Sequence, residues 1–288
     1  MLRKRIFLFF LLLSFNPILQ AAENKPTVIT TLFPIYDFAR QVGQDKISVV
    51  LLLPPGVEAH SFEPSAGDVV KVAKADIFIY TSRQMEPWVE KFIRGIDNKK
   101  LVLLEAGGDF TGNDPHTWLD FTKAMIMVDH IRDALAARDP VHREFYLSAA
   151  ASYNKKLAEL DTEYQRALSG CQDKVLIQSG HFAFGYLAQR YHLKYIAAYK
   201  GLSPDAEPTP RNLAELVDTI RQNKVKYIFY EELVSPRVAE TLAQETGVRL
   251  LELSAAHNVS REELDRRVTF IDIMKVNLKN LKLGLSCP

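Results

Sequence analysis

Three histidines draw attention by where they fall in the chain. His60 lies in Pro54-Pro55-Gly56-Val57-Glu58-Ala59-His60-Ser61-Phe62-Glu63-Pro64, His116 in Asp114-Pro115-His116-Thr117-Trp118-Leu119-Asp120, and His181 in Ser179-Gly180-His181-Phe182-Ala183-Phe184. Neutral imidazole nitrogens suit zinc and neighbouring first-row metals, whereas magnesium and calcium take oxygen ligands. A single loop histidine is more often a surface group, so the weight rests on the three together. Each follows a run that reads as a strand, two in the first half of the chain and one in the second. Ligands bind at the carboxyl edge of an open parallel sheet, and the three converge if two such edges face each other across a cleft.

The other chemistry-bearing residues give weaker signals. His257, in Ser254-Ala255-Ala256-His257-Asn258, also follows a strand and could reach the same cleft. His130, in the helical stretch 123–137, and His142 read as solvated positions, and His192 follows a helix end, where the dipole favours a histidine. Asp205, Glu207 and the pair Glu231/Glu232 lie beyond strands, where loop polarity or capping explains them. The sequence contains no GxSxG, no HExxH and no GxxxxGK[ST], so no nucleophile elbow, zincin helix or phosphate loop is expected.

The elements that must position these groups alternate in type. Short β-rich runs at 28–33, 47–53, 75–81 and 101–105 are separated by amphipathic stretches at 35–42, 66–73 and 88–93, the pattern of βαβ units. A second set follows: runs at 174–178, 195–199, 227–230 and 249–253, with helical spacing at 184–190, 213–222 and 237–246. Between the sets, 141–168 holds no Pro or Gly and spaces Phe145, Leu157, Leu160, Tyr164 and Leu168 among charges. One helix of about 40 Å follows from a rise of ~1.5 Å per residue; two helices with a kink would satisfy the same pattern. The expected fold is α/β: two parallel-sheet lobes joined by a long rigid backbone helix, with the metal site in the interlobe cleft. Such a rod resists wide hinge closure. The expected division is 1–22, 23–140, 141–169 and 170–288.

The first of those segments reads as an export signal, with basic Arg3, Lys4 and Arg5, the apolar run Ile6 to Leu13, and small Ala21 and Ala22 before Glu23. The run is short of the ~20 residues a membrane span needs, and no cysteine lies near the cleavage point to carry a lipid. Cleavage removes three basic and no acidic residues, leaving 33 Lys+Arg against 35 Asp+Glu, a formal charge near −2. That balance excludes a nucleic-acid partner on electrostatic grounds. Cys171 and Cys287 would meet an oxidising compartment, where a disulfide tying the C-terminus to the body is a reasonable pairing. Their separation, without a CxxC, makes a poor metal site.

At these residues the chain resembles the periplasmic receptors and metal-binding lipoproteins that feed zinc and manganese ABC importers, in its zinc-uptake branch. The matching segments are Pro55-Gly56 through His60 to Pro64, Ala75-Asp76, Glu86-Pro87-Trp88, Asp114 to Asp120, His181-Phe182-Ala183-Phe184-Gly185-Tyr186, Glu207-Pro208 and Ile228-Phe229-Tyr230-Glu231. The resemblance implies a receptor rather than an enzyme, docking on an ABC permease; with the export signal and no cysteine beside it, the protein is expected to be periplasmic, monomeric and without a direct membrane anchor. It carries the first three ligands over to His60, His116 and His181. Histidine at the third place resembles the zinc branch, because manganese receptors of the family usually present a carboxylate there; zinc is therefore the expected cargo and manganese the lesser one. Two departures stand out. Where many members have an aspartate ligand after the last strand, this chain has Leu253-Ser254-Ala255, leaving water, Glu58 or His257 for the fourth position. The segment 105–114 also lacks the His-rich acidic loop of many zinc receptors. Three protein ligands plus water is equally a hydrolase arrangement, for which Glu58 is the obvious base.

Overall fold

Pro34 shapes the first turn of the chain. Proline has no N–H for a sheet ladder, and its fixed φ suits the start of a helix. The run at 28–33 therefore divides into β1 (Thr27–Thr30) and α1 (Phe33–Gly43). The computed structural model describes residues 25–288 except 109, 111, 113, 200, 202–207 and 234; the export segment, Asp205 and Glu207 lie outside the described residues. β2 (Ser48–Leu51), α2 (Ala66–Ala73), β3 (Ile77–Tyr80), α3 (Val89–Arg94) and β4 (Val102–Glu105) complete the first lobe's alternation. α4 (Phe121–Arg138) and α5 (Arg143–Ser169) follow. The second lobe runs β5 (Val175–Gln178), α6 (Gly185–Arg190), β6 (Lys194–Ala197), α7 (Pro210–Asn223), β7 (Tyr227–Tyr230), α8 (Arg237–Thr246) and β8 (Arg249–Glu252).

Both sheets are parallel and share one topology, β2-β1-β3-β4 and β6-β5-β7-β8. Each strand is joined to the next by a helix-bearing crossover, as parallel pairing requires. The order reverses between β1 and β3 and again between β5 and β7, so each lobe has a crevice at the carboxyl end of its central pair. In the first lobe Glu86 fills it: its carboxylate accepts from Thr31 Oγ1 at 2.5 Å and from the N–H groups of Thr81 and Ser82, both at 3.0 Å. In the second lobe the corresponding crevice receives His181 and Glu231.

α5 is a single helix of 27 residues, about 40 Å at ~1.5 Å per residue. It begins two residues later than its apolar pattern, after a 3₁₀ turn at Pro140–His142. Tyr146, Ala150, Tyr153, Leu157, Leu160, Tyr164 and Leu168 form its buried stripe, spaced by three or four residues as one helical face requires. One hydrophobic cluster runs from Val28 and Ile77 of the first sheet, past α1, α4 and α5, to Leu176 and Phe229 of the second.

Two helices lie beyond the alternation: α9 (Arg261–Asp265) and α10 (Phe270–Gly284). Thr269 and Asp272 form the capping box of α10, which lies against α1 and α5 and so carries the chain back from the second lobe to the first. Buried Asp37 in α1 ties the three together, accepting from Tyr153 Oη at 3.2 Å and Phe270 N at 2.8 Å. Arg190 at the end of α6 spans the lobes, with Asp161 of α5 at 2.5 Å and Asp120 before α4 at 3.3 Å. A Cys171–Cys287 disulfide closes the C-terminus onto the base of β5. Among the described residues, no helix is long and apolar enough to cross a membrane.

His130 and His142, read from the sequence as solvated, are half-buried and bonded instead. His130 Nδ1 meets Ala106 O at 2.9 Å, and His142 Nδ1 meets Asp139 Oδ2 at 2.7 Å. His192 is exposed after the end of α6 in the left-handed region, φ 56°.

Candidate metal site

Each of the three sequence-selected histidines leaves its strand by a loop held by a carboxylate, and in His116 and His181 that carboxylate fixes a ring nitrogen. Asp114 Oδ1 accepts both from His116 N, at 3.0 Å, and from its Nδ1, at 2.6 Å. Glu231, buried beyond β7, accepts from His181 Nδ1 at 2.8 Å. Gly180 makes that approach possible, because a side chain there would fall on Glu231 Oε1. Tyr195 Oη pins the same loop, donating to His181 O at 3.2 Å and accepting from Ala183 N at 3.1 Å. The loop of His60 folds on Glu58, whose two oxygens accept from the N–H groups of His60 at 2.8 Å and Ser61 at 2.6 Å.

The three rings meet across the cleft. His116 Nε2 stands 3.3 Å from His60 Nε2 and 3.4 Å from His181 Nε2. A tetrahedral zinc site with Zn–N bonds of ~2.0–2.1 Å has donor–donor edges of about 3.3–3.4 Å. The hydrogen bonds fix the tautomers: with Nδ1–H donated to Asp114 and to Glu231, His116 and His181 both turn Nε2 lone pairs inward. Two lone pairs facing each other at that distance repel, and a cation between them reverses the sign. Carboxylate-oriented imidazoles are also the usual surroundings of a bound metal.

His257, which the sequence left open, joins the three. One ring nitrogen from each of the four histidines can be chosen so that all lie within 4.8 Å of one another. A short turn carries His257 there: Ala256 adopts φ 58°, Ser254 Oγ accepts from Ala256 N at 3.0 Å, and Trp118 Nε1 donates to Ala255 O at 2.8 Å. Although it follows the last strand of the second lobe, the segment is bonded to the first. Phe33 N donates to His257 O at 3.1 Å, Gly56 N to Val259 O at 2.9 Å, and Asn258 Nδ2 to Pro54 O at 2.7 Å and Val57 O at 2.8 Å.

The electrostatics favour the neutral form of His60, His116 and His257. Burial, with His116 and His181 adding to it, holds His60 down at about 2. His116 is lowered by burial, which outweighs the pull of Asp114 the other way, and His257 is driven well below the ordinary value by burial and its three neighbours. Neutral imidazole is the form that ligates. His60 also lines a groove of about 610 Å³ with Phe62, Trp88 and Phe92, an approach to the cluster from the surface of the first lobe.

Two readings change at this point. Glu231, read as loop polarity, is the partner that orients His181. Glu58 is committed to its own loop, so it is neither a spare donor nor the free base that a hydrolase would need.

Fold and site together define a class: a two-lobed, helix-braced α/β binding protein with an imidazole cluster between its lobes. Residues 28–284 match a family model described as ZnuA, zinc-uptake complex component A, periplasmic, and the chain belongs to that family. It is 38% identical over 284 residues to the zinc-binding lipoprotein AdcA of Streptococcus pneumoniae, covering 91% of this chain and 56% of that one. It is 36% identical over 283 residues to the high-affinity zinc uptake system protein ZnuA of Bacillus subtilis, covering 91% and 88%. The chain thus spans little more than half the length of AdcA and most of the Bacillus protein. A crystal structure of the Zn(II)-bound ZnuA-like domain of Streptococcus pneumoniae AdcA superposes with a TM-score of 0.81 at 40% identity, over 91% of this chain and 99% of that one.

Proposed function

We propose that the protein is an exported receptor that captures a transition-metal ion, zinc in preference to manganese, with His60, His116 and His181, and hands it to the permease of an ABC importer. The observation that carries this reading is the inward pair of Nε2 lone pairs on His116 and His181, set at a tetrahedral edge from each other and locked by Asp114 and Glu231. Neutral nitrogen donors favour zinc over manganese, which prefers oxygen. The zinc-binding names of AdcA and ZnuA support the same cargo. Residues 1–22 serve as the export signal, cleaved near Ala22 to leave a periplasmic, unanchored monomer. Segments 23–140 and 170–288 act as the two lobes and 141–169 as the rod between them. A brace of this kind restricts the lobes to small relative motions, so capture and release work by a slight change at the cleft. The hydrolase alternative is not supported.

Isothermal titration of the metal-free protein tests the reading. Zinc is expected to bind at micromolar concentration or tighter, and His116→Ala to abolish that binding. Absence of binding, or binding unaffected by the substitution, overturns it.

A further inference from the structure

Resting on that reading, we propose that His257 is a fourth metal ligand, so that the cargo is held by four imidazoles with no carboxylate in direct contact. Its Nε2 is shut off from solvent and has no hydrogen-bond partner in the protein. A buried polar atom left unpaired costs about 1–3 kcal/mol, so a partner from outside the chain is called for. The His257 ring lies 4.8 Å from that of His116, 5.1 Å from that of His60 and 5.7 Å from that of His181, centroid to centroid. One ring nitrogen of His257 thus lies within 4.8 Å of a nitrogen on each of the other three rings.

The other side chains considered for the fourth position are spent. Glu58 holds two loop N–H groups. Ser254, at the place where the resemblance leads one to expect an aspartate, donates Oγ to Glu232 Oε1 at 2.5 Å and accepts from Ala256 N. Its backbone is clamped by Asn277 of α10, through Ser254 N to Oδ1 at 2.9 Å and Nδ2 to Ser254 O at 2.7 Å. The serine is thus the base of the turn that delivers His257. Asp114 and Glu231 stay one hydrogen bond out, where their charge balances the cation without bonding to it. A four-nitrogen set takes the borderline divalent cations, zinc and cobalt among them, and disfavours manganese and magnesium, which want oxygen.

The full chain, stripped of metal, is titrated with zinc and with cobalt(II), whose visible band is strong in a tetrahedral site and weak when water expands the coordination. Loss of a partner outside the direct ligands already costs about 10–100-fold in affinity, so His257→Ala is expected to weaken zinc by about 100-fold or more and to collapse the cobalt band. His257→Glu should regain zinc affinity while raising manganese affinity relative to zinc. An unchanged band and affinity in His257→Ala, with His116→Ala abolishing binding, overturns the fourth ligand and leaves the three-histidine receptor standing. Binding unaffected by either substitution overturns the receptor reading itself. Should His257→Ala not fold, zinc-edge X-ray absorption on the unaltered chain decides: four imidazoles per zinc support the proposal, and three imidazoles with an oxygen overturn it.

Discussion

At the site, the nitrogen that His116 and His181 keep free is decided by Asp114 and Glu231, each bonded to Nδ1. Glu231→Gln replaces an acceptor by a side chain that can donate to Nδ1, so His181 is free to turn its N–H inward. Zinc affinity should fall by about 10–100-fold in calorimetry, with the melting temperature of the metal-free protein little changed. The same residues govern the response to acid. His60, His116 and His257 bind protons more weakly folded than unfolded, so below the unfolded value of about 6.5 the unfolded state takes up more protons and stability falls as pH drops. Burial works the other way on two carboxyl groups, raising Glu86 to about 6 and Glu232 to about 8. Those groups contribute stability that is fully present below the unfolded value of about 4.5 and is lost as pH rises through the folded values. The two trends oppose each other between pH 4.5 and 6.5. Glu232→Gln removes one of the opposing groups, so melting curves across that window should show a steeper acid loss than the unaltered protein, by about one proton. An equal or shallower slope contradicts the assignment.

At the scale of elements, the cluster depends on strand ends and on one turn. Three of its rings, His60, His116 and His257, sit on segments bonded to the first lobe, and only His181 is mounted on the second lobe's sheet. The turn before His257 is the demanding part. A non-glycine residue at positive φ is strained unless its surroundings hold it, and Ser254, Trp118 and Asn277 are what hold Ala256. Asn277→Ala leaves the N–H and C=O of Ser254 without their buried partners, at about 1–3 kcal/mol, so the metal-free protein should melt several degrees lower. Because the turn loosens, zinc affinity should drop in the same variant, which separates it from an ordinary core lesion. Calorimetry and a thermal melt on one sample check both.

Over the whole molecule, the covalent closure and the metal site lie at opposite ends of the second sheet. Cys171 precedes β5, while His181 follows its carboxyl end. The disulfide joins residues 116 apart in sequence, and loop-closure arguments credit such a bridge with about 4–5 kcal/mol. Cys287→Ala should therefore lower the melting temperature while leaving zinc affinity within about twofold, since no ligand is anchored through the C-terminus. A large loss of affinity would mean that the bridge shapes the cleft. The brace of α5, α10 and the Asp37 hydrogen bonds makes one packed core of two lobes, consistent with a receptor whose motions are small.

Much of this was legible in the sequence because it rests on local rules. Apolar periodicity located the eight strands of the described residues and the long helix, and position in the chain put His60, His116 and His181 past carboxyl ends, where a parallel sheet exposes loops to a ligand. What the sequence withheld depends on how distant segments meet. Position after a strand marked His257 as able to reach the cleft, but not the turn that carries it there, whose shape is imposed by Trp118 and Asn277, residues distant in the chain. Glu231 looked like any polar loop residue until β5 and β7 became neighbours, and Glu58 looked free until its loop closed on it. Spacing thus singled out three of the four clustered histidines, and the resemblance of the segments around them pointed to the kind of protein. Only the packing of the lobes decided which carboxylates orient those rings, and that a fourth imidazole shares the cleft, because both depend on distances between residues up to 197 positions apart.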